Sequence, residues 1–391
     1  VKFALQTEQK GTGHAVAMCR EVAGGGAGLT VILYGDCPLL TADTIARLVA
    51  AQRASKAAAT LITTMLEQPT GYGRIVRAAD GTVLSIVEEK AASAEQKKIR
   101  EINSGIYCLD SALLWKHIGD IQPNAASGEI YLTDLVEILR GAGHTVEALV
   151  LDDPNEILGI NNRLELAEAD RILRARKTRQ LMIDGVTILQ PETVSIDVHV
   201  EIGQDTVVAP FVQIKGKTRI GSDCTIGAGA VIRDSEIADG VTVGEYCVVG
   251  TSKVETGAQL GPFSRLRQEN HIGEGAQIGN FVELKKTRLG ARSKAMHLAY
   301  LGDSVIGEGV NIGAGTITCN YDGLNKHQTS IGDNTFVGSN STLVAPVMLE
   351  AGAYIAAGSV ITKSVPTDAL GIGRQRQQNI EGWVKRKRPK R

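Results

Sequence analysis

Two groups of residues in this 391-residue chain have the types and spacing to do chemistry. In the C-terminal half, Arg265 and Arg267 flank an apolar position, Lys285-Lys286 come two stretches later, and His297, Tyr300, Asn311 and Asn320-Tyr321 follow. Cations on nearby turns of a coil can line one wall and meet a phosphate. A neutral imidazole at His297 can accept a proton near neutral pH. A solvated charged face and a structural histidine are the plainer readings of the same residues. Cys319 is an alternative acyl-accepting nucleophile, but Ile317-Thr318 and Asn320 around it supply no cation to lower the thiol pKa.

In the N-terminal half, Tyr34-Gly35-Asp36 closes an apolar run, and Asn161-Asn162-Arg163 closes another. In α/β sheets ligands collect at the carboxyl ends of strands, so Asp36 and Asn161 are placed to give oxygen ligands to a Mg²⁺ ion that keeps its waters. A helix cap and a polar turn are the competing readings. Gly11-Thr12-Gly13-His14 offers backbone N–H groups near a helix start, suited to a phosphate or a base edge. The Gly24–Gly28 run precedes its strand and reads as a loop; Gly307-Glu308-Gly309 with Gly313 lies inside a repeat and is no dinucleotide fingerprint.

The elements that must position these residues differ between the halves. From Ile196 to Ile232, Ile or Val stands at every sixth position: Ile196, Ile202, Val208, Ile214, Ile220, Ile226 and Ile232. A triangular coil with one short parallel strand per side keeps such residues in line, as in a β-helix. Gly often follows the apolar residue, where positive φ or close backbone approach is required. With slips of one residue the register reaches Leu289 and resumes from Ile331 to Ile361. The segments between Leu289 and Ile306 and between Ile312 and Ile331 are expected to leave the coil as loops, the first carrying His297 and Tyr300, the second Asn320, Tyr321 and Lys326.

Residues 1–163 alternate helix and strand patterns and predict an α/β domain. Leu29 to Tyr34 has the continuous apolar character of a buried parallel strand, Thr41 to Gln52 that of a helix capped by Thr41 or Asp43, and Ala58 to Met65 that of a further strand. Arg74–Arg77 and Val83–Glu88 form a hairpin around Asp80-Gly81. Residues 164–184 predict a helix joining this domain to the coil domain, 185–391. A net charge of -1 gives no global bias toward nucleic acid or membrane, and the terminal Lys/Arg run reads as a solvated tail. No apolar run has the length of a membrane span. Six cysteines without paired spacing read as reduced, mostly buried thiols of a cytoplasmic protein. The chain starts at Val1 and is expected to be N-terminally incomplete.

Lys294-Ala295-Met296-His297-Leu298-Ala299-Tyr300-Leu301-Gly302-Asp303 and Asn311 through Gly323 closely resemble the bacterial bifunctional N-acetylglucosamine-1-phosphate uridyltransferase/glucosamine-1-phosphate N-acetyltransferase family. Gln6 through Ala15, Tyr34-Gly35-Asp36, Gly71-Tyr72-Gly73-Arg74-Ile75, Val87-Glu88, Glu101 through Gly105 and Asn161-Asn162-Arg163 extend the resemblance over nearly the whole chain. The resemblance implies a Rossmann-like uridyltransferase domain followed by a left-handed parallel β-helix of hexapeptide repeats. It also implies a cytoplasmic homotrimer that binds acetyl-CoA between subunits, uses UTP and Mg²⁺, and makes UDP-N-acetylglucosamine for the cell wall and lipopolysaccharide. No nucleic-acid or membrane partner is expected.

By the same resemblance His297 is the general base. Arg267, Lys285, Tyr300 and Asn311 take the amino-sugar phosphate, and Ala314, Asn320, Tyr321, Ser339, Ala357 and Arg374 serve acetyl-CoA. Asp36 and Asn161 hold the metal. Gln6, Gly11, Thr12, Tyr34 and Gly35 face the uridine side of the nucleotide, while Gly73, Glu88 and Asn103 face the sugar. The chain departs from the family in lacking its opening Gly-rich nucleotide loop, so uridyl transfer is expected to be impaired. It departs again at Met296, where a small or polar residue is usual, and at Gln375-Arg376-Gln377, which replaces Val-Pro-Gln. Two other readings stay open: a nucleotidyltransferase for another sugar with a β-helix tail, and a trimeric β-helix scaffold without turnover.

Overall fold

The computed structural model describes residues 1–24, 26–125 and 127–387; Gly25 in the glycine run and Arg388–Arg391 of the basic tail lie outside the described residues. The chain forms two compact units, Val1–Ile172 and Leu173–Arg391.

The first unit is built on strands β1 (Leu29–Ile32), β2 (Ala59–Met65), β3 (Arg74–Arg77), β4 (Val83–Val87), β5 (Glu101–Asp110) and β6 (Val146–Leu151). The sheet runs β4-β3-β5-β2-β6 with β1 also on β5. Only β2 and β6 pair in parallel; β1, β2 and β3 run antiparallel to β5. Helices α1 (Thr12–Met18), α2 (Arg20–Ala23), α3 (Ala42–Ser55), α4 (Ser111–His117) and α5 (Leu135–Gly141) accompany it. Thr41 caps α3, its hydroxyl accepting from Thr44 N–H at 3.2 Å. The expected hairpin is present, with β3 and β4 paired antiparallel. One expectation fails: the run from Leu29 is not a buried parallel strand but the half-buried β1, antiparallel to β5. A continuous apolar run reports apolar neighbours on both faces and carries no information on the direction of the adjacent strand.

Helix α6 (Arg163–Ile183) leads into the second unit, where thirty short strands stack into three parallel sheets of 11, 10 and 9 strands. This is the parallel β-helix expected from the hexads, left-handed as the resemblance implies. The apolar residues at the sixth positions share one continuous buried core, from Ile196 through Ile361. Gly227 shows why glycine follows them. A Cβ there would lie 2.7 Å from the backbone nitrogen of Glu245 on the next coil, so the requirement is close approach and not positive φ.

The segment from Leu289 to Ile306 does not leave the coil. Lys294–His297, Tyr300–Gly302 and Ser304–Ile306 are ordinary coil strands, with Ala295 and Leu301 fully buried in the interior positions. Ala295 breaks the Ile/Val/Leu pattern without breaking the geometry. From Ile312 to Ile331 a real excursion does occur: Thr318 takes the buried position, Asn320 stays buried, and residues 321–328 project as a loop closed by the antiparallel bridge Tyr321–Lys326. Beyond the coil, Trp383–Lys387 forms a last short helix, α7. All six cysteines are free; Cys108, Cys224 and Cys247 are buried, Cys37 and Cys319 partly so, and Cys19 is exposed. Among the described residues no helix is long and apolar enough to cross a membrane.

Candidate active sites

In the first unit the sheet brings three strand ends together at one pocket. Asn103 N–H donates to the Gly73 carbonyl at 2.9 Å, and Arg74 pairs with Val87, so Gly73, Glu88 and Asn103 stand side by side where β3, β4 and β5 meet. Their pocket is also lined by Thr12, Tyr34, Asp36 and Asn161, which makes seven of the ten candidates for this site. Gln6, Gly11 and Gly35 do not line it; Gln6 instead reaches the His14 ring at 2.9 Å and the Gly11 carbonyl at 3.2 Å. Gly105 has φ +79°, and a Cβ on it would collide with the Tyr34 ring, so glycine in mid-strand is what lets that ring lie against the sheet.

Burial raises the Glu88 carboxyl above its usual range, against a hydrogen bond from the Thr133 hydroxyl at 3.3 Å. Burial, helped by Glu88 and Asp36, likewise raises the Tyr34 phenol. Cys37 is pushed up to about 11 by burial and by Asp36, which keeps it a neutral thiol. The Ile160 N–H donates to the Asp36 carbonyl at 2.9 Å, tying the exit of β1 to the segment that carries Asn161. No cluster of three or more His, Cys, Asp or Glu suited to a metal occurs among the described residues. One carboxylate and one amide oxygen on a shared pocket wall suit a hard cation that keeps most of its waters, so the donor set fits Mg²⁺ and excludes a closed protein cage.

In the second unit the sites are columns. His297 lies in register with Asn280, and Ala295 with Ile312, which continues to Val337 and Ile355. Two residues on from those partners come Ala314, Ser339 and Ala357, so His297 heads a column running Ala314, Ser339, Ala357 along one corner of the coil. Backbone bonds from Asn340 N–H to the Ala314 carbonyl and from Gly358 N–H to the Ser339 carbonyl, 2.7 and 2.8 Å, hold its steps. Arg374 stands one residue beyond the next position, Gly373. His297 is exposed on this corner.

A second group stands at the other end of the adjoining face. Leu266 pairs with Leu284, which sets Arg267 beside Lys285, and Lys285 pairs with Gly302. Lys285 is buried, Arg267 meets Glu283 at 3.3 Å, and buried Asn320 donates to the Asp303 carboxylate. Tyr300 lies between the groups, paired with Glu283 and Ile317, and Asn311 pairs with Lys294 and Phe336. The five residues from Leu298 to Gly302 that separate the groups span at most roughly 17 Å.

Lys326, placed from sequence on an expected loop but given no role there, belongs here. The Lys285 ammonium opposite holds the Lys326 amine below the usual lysine value, and two facing cations leave room for an anion. Lys326 comes from the projecting loop, so no local spacing signals it. Thr133, which donates to Glu88, lies in the Leu132–Asp134 turn and was missed because no motif marks it. Asp322 shapes the loop: its carboxylate accepts from Leu324 and Asn325 N–H at 2.8 and 2.6 Å and bonds His327 Nε2 at 2.7 Å.

Residues 1–154 match the nucleotidyl transferase family model, residues 199–234 the bacterial transferase hexapeptide model of six repeats, and residues 328–363 the hexapeptide repeat of succinyl-transferase. The bifunctional protein GlmU of Solibacter usitatus (strain Ellin6076) is 56% identical over 388 residues, 99% of this chain and 83% of that protein. The chain belongs to the bifunctional GlmU family. The GlmU proteins of Koribacter versatilis (strain Ellin345) and Trichlorobacter lovleyi (strain ATCC BAA-1151 / DSM 17278 / SZ) agree at 51% and 48% identity, each over 99% of this chain and 83% and 84% of theirs. The GlmU pairing of a nucleotidyltransferase with a hexapeptide transferase accounts for two separate sites in one chain, one in each unit, and makes the chain a bifunctional transferase.

Proposed function

We propose that the coil unit transfers an acetyl group from acetyl-CoA to glucosamine-1-phosphate, and that the first unit couples the resulting N-acetylglucosamine-1-phosphate to UTP with release of pyrophosphate. The product, UDP-N-acetylglucosamine, would supply cell-wall and lipopolysaccharide synthesis. The observation that carries this reading is the column headed by His297. Its three steps of about 4.8 Å give a slot of roughly 14 Å, which suits the long thin arm of a coenzyme lying along Ala314, Ser339 and Ala357 with its thioester at the histidine. His297 takes the proton of the amine as nitrogen attacks the thioester carbonyl, the bond to sulfur breaks, and CoA leaves. Arg267, Lys285, Tyr300 and Asn311 hold the sugar phosphate, with Lys326 closing over the anion. Asn320, Tyr321 and Arg374 complete the coenzyme side.

In the first unit Asp36 and Asn161 would hold Mg²⁺, whose charge offsets that of the nucleotide phosphates. Tyr34, Thr12, Gly11, Gln6 and Gly35 are assigned to the uridine side, and Gly73, Glu88 and Asn103 orient the sugar.

A homotrimer is favoured by a row of exposed apolar residues on the corner beside His297. Phe211, Tyr246, Phe263, Phe281 and Leu298 occupy corresponding turns, and the Tyr246, Phe263 and Phe281 rings stack at 5.4 and 5.6 Å. Such a row gains burial when a second coil packs on it, which would place the acetyl site between subunits. One assay tests the whole proposal: acetyl-CoA, glucosamine-1-phosphate and UTP are supplied together, and CoA and pyrophosphate are read separately. Absence of CoA release from the folded chain would defeat the acetyl assignment.

A further inference from the structure

Arg74, the first residue of β3, is 2% exposed, yet none of the assigned roles uses it. Its Nη1 donates to the Tyr72 carbonyl, its Nη2 to Glu89 Oε2 at 2.6 Å, and its Nε has no partner among the described residues. Its backbone pairs with Val87 on β4 and Ile102 on β5. The next residues along these segments are Gly73, Glu88 and Asn103, the three assigned to the sugar. The Glu88 carboxylate lies over Gly73, where a Cβ would come within 3.5 Å of Oε1.

A buried guanidinium is costly to desolvate, and an apolar side chain of similar volume would fill the same space without that cost. What the guanidinium adds is a rigid planar fork that fixes two chain segments at once. Here the two segments are the neighbours of Gly73 and of Glu88. Resting on the sugar-side assignment above, we infer that Arg74, through Glu89, is a positioning residue for the sugar phosphate in the nucleotidyltransferase pocket. It sets the gap between the Tyr72-Gly73 loop and the Glu88-Glu89 turn so that Glu88 and Asn103 meet the sugar together. Arg74 itself touches no substrate.

The test is steady-state pyrophosphate release by the full chain, with N-acetylglucosamine-1-phosphate and UTP varied in turn. Glu89 is partly exposed, so Glu89→Gln folds even where a change at Arg74 does not. In Glu89→Gln the KM for the sugar phosphate is expected to rise about tenfold, with kcat and the KM for UTP little changed. Arg74→Lys keeps the charge but loses the fork, and its rise should approach about a hundredfold. Acetyl transfer by the same preparations should stay at the parent level, which reports an intact second unit. A lower melting temperature with both KM values unchanged would overturn the inference and leave Arg74 a purely structural residue. An equal rise for both substrates would also overturn it, by showing general disorder of the pocket. If the parent chain releases no pyrophosphate, or does so without any requirement for the sugar phosphate, the pocket assignment itself falls, and the inference with it.

Discussion

In the first unit the pocket walls come from β3, β4, β5 and loops far apart in the chain, and they meet only because the mixed sheet folds them together. In the coil each site residue is set by the strand before and after it, one turn away in sequence. Gly73 and Asn103 are joined through a sheet that also needs β2 and β6 in place, whereas Ala314, Ser339 and Ala357 need little more than their own turns. The difference teaches where damage should spread. A fault in the sheet disturbs the whole pocket, and a fault in the coil disturbs a neighbourhood.

The largest break in this comparison is chemical. Chelation of divalent metal with EDTA should abolish pyrophosphate release and leave CoA release untouched, because Asp36 and Asn161, the residues proposed to hold a hard cation, line the first unit's pocket, and the proposed acetyl transfer uses no metal. CoA release that fell in parallel would show that the two sites are not chemically separate. His297→Ala should lower CoA release by about two to four orders of magnitude. The side chain is exposed, so melting temperature and pyrophosphate release should not move. An alanine variant with parental CoA release would remove His297 from the mechanism.

A smaller effect probes the coil itself. Gly227→Val places a side chain against the backbone of the next turn and should cost about 1–3 kcal/mol in the denaturation of that region. Because Gly227 is several turns from His297, kcat for acetyl transfer in the surviving folded protein should stay near the parent value. A loss of kcat as large as that of His297→Ala would mean that the coil does not behave as a chain of neighbours.

These two constructions also explain what the sequence made legible. The coil announces itself because apolar residues at one period are enough to place most of its turns, and the resemblance pointed to Ala314, Ser339 and Ala357, which the coil register sets in one column. Ala295 and Thr318 hid two turns, since a small or polar interior residue fits the coil without matching the apolar pattern. Ala295 therefore made a regular turn look like a loop. In the first unit the apolar run at Leu29 gave a strand but not its direction. Asp36 and Glu88 were recognisable from their motifs, while Thr133 was not and Lys326 was marked only as a loop residue, because tertiary folding alone brings them to Glu88 and Lys285.

The sheet pocket should also show a pH dependence of its own. Burial holds the Glu88 carboxyl above its usual range in the folded protein. As pH falls through that raised value Glu88 gains a proton, so the KM for the sugar phosphate should begin to rise at a higher pH than an ordinary glutamate would give. The linked stability has the matching sign: a raised folded value contributes stability below the unfolded value, and this is lost as pH rises through the folded one. Glu88→Gln should flatten the acid limb of KM and slightly raise the melting temperature at neutral pH. An acid limb that persists in Glu88→Gln assigns the titration to another group.

The smallest expected effect falls where the coil departs from its own rule. The loop of residues 321–328 is shaped by side chains, as the first unit's pocket is, and Asp322 is its centre. The Asn325 and Leu324 N–H groups and the His327 ring hold the Asp322 carboxyl well below its usual range. A depressed folded value contributes stability above the unfolded value that is lost only as pH falls through the folded one, so the loop should keep its shape through the whole ordinary carboxylate range. Asp322→Asn removes the charge and one acceptor, loosening the turn that sets Lys326 opposite Lys285. The KM for glucosamine-1-phosphate should rise several-fold, with kcat, melting temperature and the KM for acetyl-CoA nearly constant, because the coil beneath is untouched. Lys326→Ala should raise the same KM further, and the double variant should be no worse than Lys326→Ala alone if Asp322 acts through that lysine. Additive losses in the double variant would show that Asp322 serves the site by another route, and that this loop is held by register after all.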